Sequence, residues 1–357
     1  MSHFPTHAGA TSIDTPQACV QYLLDTADGS KSGSGLSASL ETPRQGIGQA
    51  DVNIALCKYW GKRDPKLNLP HNSSLSITLP ALGTQTQVTW SPSPSSTGLQ
   101  HLTFNGQVLS PEHATFQRTQ QFLDWFPMAH RGQFEVVTDN SVPTAAGLAS
   151  SASGYAALVL ALNQTFGWAL PATTLSILAR LGSGSATRSL YPGFAVWNKG
   201  ERLDGLDSYA YPLKESWPGL RIGLVEVDTS QKPIGSTQGM QATTQTCALY
   251  QQWPQQAEAD LRTLTTAIEA RDFATLGRTA EHNALSMHAT MIATWPPIVY
   301  WQSQTLEAMQ TVWALRAQGV AVYFTMDAGP NLKLLYLQKD QACIQNAFKG
   351  LIEIQPF

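Results

Sequence analysis

Between a strand-like run ending at Thr138 and an apolar helical run beginning near Ala149 lies Pro143-Thr144-Ala145-Ala146-Gly147-Leu148-Ala149-Ser150-Ser151-Ala152. The strand runs into a turn at Asp139-Asn140-Ser141-Val142-Pro143 and then into the helix, and the small residues between them let the backbone come close to a ligand. Ala152, Tyr155, Ala156, Val159 and Leu162 repeat at helical spacing, so the helix is expected to run to about Gln164. Its first N–H groups have no partner inside the helix and carry the positive end of the dipole, which suits a phosphate. Ser150 and Ser151 add hydroxyl donors in the first turn. No GxxxxGK[ST] string is present, so this is not a Walker-type loop. The same residues also suit close packing with serine as a helix cap.

The remainder of the 357 residues is long enough for two domains, and the pattern changes near Trp217-Pro218-Gly219. Residues 1 to 46 read as a separate, partly flexible extension: a short helix over Thr15 to Ala27, then the Gly/Ser-rich stretch Asp28 to Ser39. Residues 47 to 217 form the first expected domain. Its predicted strands are Thr84 to Trp90, Leu102 to Phe104, Phe134 to Thr138 and Phe194 to Trp197, with a hairpin at Asn105-Gly106 and helices over Phe116 to Phe126 and Leu175 to Leu181. Residues 218 to 357 form the second. It has strands at Leu220 to Val227, Val320 to Phe324, Leu332 to Leu337 and Leu351 to Ile354, and helices at Gly239 to Gln252, Glu258 to Ala270, Thr305 to Ala317 and Gln341 to Phe348. Strands and helices mixed in both halves predict α+β domains rather than a doubly wound parallel sheet.

The formal net charge is −3, charged residues are 13% of the chain, and there is no run of Lys or Arg, so neither nucleic acid nor a membrane surface is an expected partner. Cys19, Cys57, Cys247 and Cys343 are far apart with no CxxC pair. They predict a reduced, cytoplasmic protein rather than a disulfide or metal framework. No apolar run approaches the roughly 20 residues of a membrane span, and the N-terminus lacks a signal-peptide pattern.

Three further segments carry chemistry. Gly182-Ser183-Gly184-Ser185-Ala186-Thr187-Arg188-Ser189 allows a tight backbone beside ligand oxygens, and Arg188 offers a planar fork for a carboxylate or phosphate; a surface turn with an incidental Arg is the plainer alternative. Asn53 to Asp64 places three cations, Lys58, Lys62 and Arg63, within six residues, interleaved with Tyr59 and Trp60; a solvated basic turn is its alternative. On a strand-like segment Lys58 and Lys62 share a face. Asp327-Ala328-Gly329-Pro330-Asn331 sets an acid in a tight turn after a strand, as a base or as a turn-former.

Together these segments resemble the GHMP kinase superfamily. Pro143 to Ala152 fits that superfamily's phosphate loop, P-x-x-x-G-L-x-S-S-A, and from about Gln49 onward the chain is similar to the mevalonate diphosphate decarboxylases. That narrower resemblance rests on Lys58-Tyr59-Trp60-Gly61-Lys62-Arg63-Asp64, on Asn72-Ser73-Ser74-Leu75-Ser76, on Ser236-Thr237-Gln238-Gly239-Met240, on His288-Ala289-Thr290 with Pro296-Pro297, and on Asp327 to Asn331. It implies an N-terminal domain like ribosomal protein S5 domain 2, a ferredoxin-like C-terminal domain, and a homodimer. It also implies ATP-dependent decarboxylation of mevalonate 5-diphosphate to isopentenyl diphosphate, with ATP and Mg2+ as cofactors. Asp327 is then the catalytic carboxylate beside the tertiary hydroxyl, Arg188 the holder of the substrate carboxylate, and Lys58 a cation beside the reacting centre. Tyr59, Lys62, Ser183, Gly184, Ser185 and Ala328 match substrate positions. Gly147, Ala149, Ser150, Ser151 and Ser236 match nucleotide positions, and no side chain is implied as a metal ligand. Gly235, Thr187, Met291 and Ala293 depart from the family pattern, and the first 46 residues have no counterpart in it. A relative that phosphorylates the 3-hydroxyl without decarboxylating, one that takes the monophosphate, and a non-catalytic sensor on the same fold are the rival readings.

Overall fold

The structure, a computed structural model, describes residues 13–29, 40–142, 150–228 and 234–357. The N-terminal half contains α1 (Pro16–Gly29), β1 (Arg44–Cys57), β2 (Lys62–Asp64), β3 (Leu69–Pro70), β4 (Ser74–Pro92), β5 (Gly98–Phe104), β6 (Gln107–Val108), α2 (Ala114–Leu123), β7 (Gly132–Asn140), α3 (Ser150–Phe166), α4 (Ala172–Gly182), β8 (Phe194–Trp197) and β9 (Ala210–Pro212). Among the described residues its main sheet has seven strands in the order β6-β5-β7-β4-β8-β9, with β1 on β4.

Strand β4 organises this sheet. Along one edge it pairs antiparallel with β1, from Arg44↔Trp90 to Cys57↔Leu75. Its other edge is shared: Thr84–Pro92 pairs with β7, and Ser74–Ile77 with β8. A register shift at Asp51/Val52 lets the long ribbon bend between those two partners. Helix α3 lies across β1 so closely that a Cβ on Gly48 would stand 2.1 Å from the Ala157 carbonyl oxygen, which explains a glycine in mid-strand. Trp90, Phe122, Phe126, Phe134, Leu162 and Ile177 fill the space beneath the helices. The Asn105-Gly106 hairpin forms as expected, both residues having positive φ, 48° and 75°.

The C-terminal half contains β10 (Leu220–Val225), α5 (Ser236–Thr246), α6 (Trp253–Ala270), α7 (Phe273–Ile292), α8 (Ser303–Ala317), β11 (Val322–Met326), β12 (Leu332–Leu337), α9 (Gln341–Ala347) and β13 (Ile352–Ile354). Its strands make an antiparallel sheet in the order β11-β12-β10-β13. One face of β11 and β12, with Phe324, Met326, Leu332 and Leu334, packs against α8 residues Met309 and Val312. The other, with Tyr323 and Leu335, joins a core that includes Val52, Ile54 and Leu56 of β1. The two halves therefore share one hydrophobic junction, and α+β is the observed class.

Two expectations need correction, and one helix has no counterpart among them. The described part of residues 1–46 is not a loose tail: Cys19, Val20, Leu23 and Leu24 of α1 are fully or almost fully buried in the N-terminal core, and β1 already begins at Arg44. Apolar burial outweighs the ordering entropy of so short a helix. The expected Gly/Ser linker lies largely outside the described residues. Helix α7, 20 residues long, went unassigned from sequence. The helix expected from Gly239 to Gln252 instead ends at Thr246 and resumes as a separate 3-10 turn over Ala248–Gln252.

Candidate active site

Strands β1 and β11 end side by side at the junction of the halves, and the residues that follow them meet. Lys58 Nζ lies 2.8 Å from Asp327 Oδ1 and donates also to the Ala55 carbonyl at 2.7 Å. The Lys58 backbone is fixed at both ends. Its N–H donates to Asn283 Oδ1 at 2.7 Å, and its carbonyl accepts from Asn72 Nδ2 at 2.8 Å. Lys58 is buried, and burial lowers its pKa while Asp327 pulls it back up. A desolvated ammonium needs a paired, hydrogen-bonded setting to stay charged, and this one has it. The Asp327 backbone is anchored too: His288 Nε2 and the Asp327 carbonyl oxygen are 3.0 Å apart. A carbonyl only accepts, so His288 carries its proton on Nε2. Burial first, then the field of Lys58, lowers the His288 pKa to about 4.

Arg188 faces this pair from the N-terminal half. Helix α4 stops at Gly182, and a 3-10 turn over Gly184–Thr187 delivers Arg188 into the interior. Its Nη1 donates to Ser74 Oγ and its Nη2 to Asn53 Oδ1 at 3.4 Å. Asn53 in turn donates to the Ser185 carbonyl at 3.1 Å and to Ser189 Oγ at 2.8 Å. The guanidinium carbon sits 5.9 Å from the centre of the Trp197 ring, whose edge meets Tyr59 at 4.8 Å between centroids. Burial draws the Arg188 pKa down to about 10, opposed by Asp327. The buried Nε of Arg188 and the buried hydroxyl of Tyr59 have no hydrogen-bond partner among the described residues. Buried polar atoms left so are costly and call for a functional or structural reason. A Cβ on Gly184 would lie 2.8 Å from both Trp197 and Tyr59, so only glycine fits there.

Lys62 Nζ donates to Asn68 Oδ1 at 2.6 Å, and Asn68 Nδ2 donates to the Arg180 and Leu181 carbonyls at 3.0 and 2.7 Å, tying Lys62 to the end of α4. Ser151 and Ser185 hydroxyls lie 3.4 and 3.2 Å from Ser183 Oγ. All of these border one cleft of about 280 Å³: Lys58, Tyr59, Lys62, Ser151, Ser183, Gly184, Ser185, Arg188, Ser236, Asp327 and Ala328 line it. Ser236 starts α5, so the C-terminal half also brings a helix N-terminus to the cleft. Of the remaining expected residues, Ser150 begins α3. Its side chain, like Gly147 and Ala149, lies outside the described residues. A second cavity of about 220 Å³ shares Arg118, Ser151 and Tyr155 with the first. Among the described residues no group of three or more His, Cys, Asp or Glu is arranged to hold a metal ion.

Sequence reasoning did not single out Asn68, Asn283 or Lys333, nor give His288 a place in the site. Lys333 Nζ is 3.6 Å from Asp327 Oδ2. A lone lysine amid Leu332, Leu334 and Leu335 was a readable signal, because a strand buried on both faces rarely spends a position on a cation. Asn283 accepts from a backbone N–H, and Asn68 donates to two backbone carbonyls, that only folding brings close.

Comparison with known proteins identifies the family of the chain. A family model described as diphosphomevalonate decarboxylase-like N-terminal domain matches residues 50–210, and one described as mevalonate 5-diphosphate decarboxylase C-terminal domain matches residues 223–355. Diphosphomevalonate decarboxylase mvd1 of Aspergillus fumigatus is 38% identical over 320 residues, which is 85% of this chain and 79% of that protein. The crystal structure of mevalonate diphosphate decarboxylase from Staphylococcus aureus has a TM-score of 0.81 at 38% identity, covering 88% of this chain and 96% of that one. MDDEF in complex with MVAPP, AMPPCP and magnesium has a TM-score of 0.80 at 38% identity, covering 87% and 96%.

Proposed function

The chain belongs to the mevalonate diphosphate decarboxylase family, with its GHMP kinase fold, and from that premise we propose which of its residues perform each part of the family's reaction. The reaction is the ATP- and Mg2+-dependent decarboxylation of mevalonate 5-diphosphate to isopentenyl diphosphate, ADP, phosphate and CO2. Loss of CO2 from this acid leaves an electron pair that needs an acceptor. The C3 oxygen accepts it only by leaving, and hydroxide leaves badly, so the hydroxyl must first become a phosphate ester.

Asp327 takes the proton of the C3 hydroxyl. The oxygen bonds to the γ-phosphorus of ATP as the bond to the ADP oxygen breaks. The C3–O bond then breaks with phosphate departing, and the electrons of the C1–C2 bond form the C2=C3 alkene as CO2 leaves. Lys58, 2.8 Å from Asp327 Oδ1, holds the carboxylate in place and offsets charge on the transferring phosphoryl group. Arg188, already held by Ser74 and Asn53, turns its unpartnered Nε toward the substrate carboxylate and sets that group perpendicular to the forming double bond. Tyr59, Lys62, Ser183, Gly184 and Ser185 take the rest of the substrate with its diphosphate, and Ala328 borders it. Gly147, Ala149, Ser150, Ser151 and Ser236 take the nucleotide phosphates.

The cleft fits such ligands: it has four cations, Lys58, Lys62, Arg118 and Arg188, and hydroxyl donors, and among the described residues no carboxylate cage. Mg2+ bound on the ATP phosphates neutralises charge during phosphoryl transfer. The single observation that carries these assignments is that Lys58, Arg188 and Asp327, from both halves of the chain, line one cleft. Incubation with ATP, Mg2+ and either mevalonate, its 5-phosphate or its 5-diphosphate tests them, with ADP, phosphate and CO2 measured separately. Equal ADP and CO2 with the diphosphate alone is expected; ADP without CO2 would favour a 3-kinase.

We also propose that residues 47–217 and 218–357 act as the two domains, which the limits of the two family matches support. A cytoplasmic homodimer is the proposed state of the protein. Its unpaired cysteines favour a reducing compartment, and no described helix is long and apolar enough to cross a membrane. Exposed Leu249, Trp295 and Val299 give apolar surface to a subunit contact, which light scattering would test.

A further inference from the structure

Lys333 is among the largest fully buried side chains of the protein, at 2% exposure, and it is charged. Its place on β12 sets its direction. Lys333 and Leu335 fall on the same strand face, and Leu335 belongs to the core shared with β1, whereas Leu332 and Leu334 pack toward α8. Across the ladder Lys333 pairs with Thr325, whose hydroxyl donates to the Ala55 carbonyl at 3.2 Å; that carbonyl also accepts from Lys58. Lys333 Nζ has one weak backbone acceptor, the Asn331 carbonyl at 3.4 Å, and lies 3.6 Å from Asp327 Oδ2. It does not border the cleft. Burying an ammonium for so little hydrogen bonding is unfavourable, and an apolar residue there would cost nothing in solvation. What the lysine does gain is the far oxygen of Asp327.

We propose that Lys333 is a positioning residue for Asp327: it holds Oδ2 from behind while Lys58 holds Oδ1 from the side, so the carboxylate stays ionised and fixed in plane as it meets the substrate hydroxyl. The inference rests on Asp327 being the base. Other groups face Asp327 as well. Lys58 comes from the end of β1, Arg188 from the turn after α4, and neutral His288 from α7, donating to the Asp327 carbonyl. Lys58 and Arg188 remain when Lys333 is removed, so loss of Lys333 weakens the base without abolishing it. A nearby cation favours the ionised carboxylate, and its removal raises the carboxyl pKa.

The test is the pH profile of kcat/KM for Lys333→Met, Lys333→Gln and Lys333→Arg, with thermal melts as the folding check. In the Met and Gln variants the acid limb moves up by about one pH unit, while KM for both substrates stays within about twofold. Arginine restores the original limb. Measuring both neutral variants keeps a result in hand should one fail to fold. In an Asp327→Asn background, Lys333→Met causes no further loss of kcat, because the lysine acts through the carboxylate. An unmoved acid limb in a folded neutral variant, or an additive loss in the Asp327→Asn background, would overturn the proposal. Near-wild-type kcat in Asp327→Asn alone would instead remove Asp327 as the base, so the two failures are told apart.

Discussion

Lys58 Nζ lies 2.8 Å from Asp327 Oδ1, although the two residues are 269 positions apart in the chain. Lys58 follows the last residue of β1 and Asp327 the last residue of β11, so the contact exists only when the two halves are docked. It is a half-wet pair: Lys58 is enclosed, while 29% of the Asp327 side chain remains exposed toward the cleft. That asymmetry suits a base that must meet substrate and a cation that must not leave.

Asp327→Ala is therefore expected to lower kcat by about 10³-fold or more with little change in KM, because the carboxylate is used in the transition state. Steady-state kinetics with both substrates varied decides it. A kcat near that of the wild-type protein would take the proton-accepting role away from Asp327.

Much of this site was readable in the sequence because its residues sit in short strings whose composition makes sense only as chemistry. Lys58 to Asp64, Gly182 to Ser189 and Asp327 to Asn331 each combine ligand-facing groups with turn residues. What was not readable depends on docking. Asn283 lies 225 positions from the Lys58 N–H it accepts from, and nothing local to either residue announces the bond. Helix α7 is a different case. Phe273, Leu276, Ala280, Ala284, Met287 and Met291 do repeat at helical spacing, and Asp272 caps the start by accepting from the Thr275 N–H. Its interior carries Asn283 and His288 on the buried side, and those polar residues obscure the apolar stripe. Likewise the first 46 residues looked detachable by composition, while α1 supplies four core side chains.

That last point makes a stability prediction. Leu23 is 2% exposed in the N-terminal core, so Leu23→Ala should destabilise the protein by roughly 2–5 kcal/mol. A side chain on a detached tail would change stability by less than about 0.5 kcal/mol. Denaturant titration separates the two, and kcat at low temperature should be unaffected because α1 does not reach the cleft.

Gly184→Ala tests the fit of the substrate pocket. The new methyl group would lie 2.8 Å from the Trp197 and Tyr59 rings, both packed against Arg188's surroundings. Displacement of Tyr59 should raise KM for the diphosphate about tenfold and lower stability by about 1–3 kcal/mol. Unchanged KM would mean that the Tyr59 ring has no part in holding substrate.

His288 gives a pH dependence of known sign. Folded, its pKa is lowered from 6.5 to about 4, chiefly by burial. Between those values the unfolded chain binds a proton that the folded chain does not, so acid draws the equilibrium toward unfolding. Stability from this source is complete above about pH 6.5 and is lost as pH falls toward 4, an effect of at most roughly 3.5 kcal/mol. His288→Gln keeps an amide N–H for the Asp327 carbonyl but cannot titrate. Its melting temperature should fall less steeply over that interval, and an equally steep fall would refute the assignment.

Arg188→Lys separates the two chemical steps. Arginine meets Ser74 and Asn53 through two different nitrogens and still has Nε to offer, whereas a lysine has a single nitrogen for every partner. The substrate carboxylate would still be attracted but no longer held in one plane. Phosphorylation needs only the hydroxyl, Asp327 and ATP in line; decarboxylation also needs the C1–C2 bond aligned with the departing C3–O bond. Lysine at 188 should therefore lower kcat/KM by about 10²-fold and slow release of CO2 more than release of ADP. The ratio of ADP to CO2 in single-turnover experiments should rise above one at early times. A ratio that stays at one, with both products slowed together, would place Arg188 in substrate binding alone.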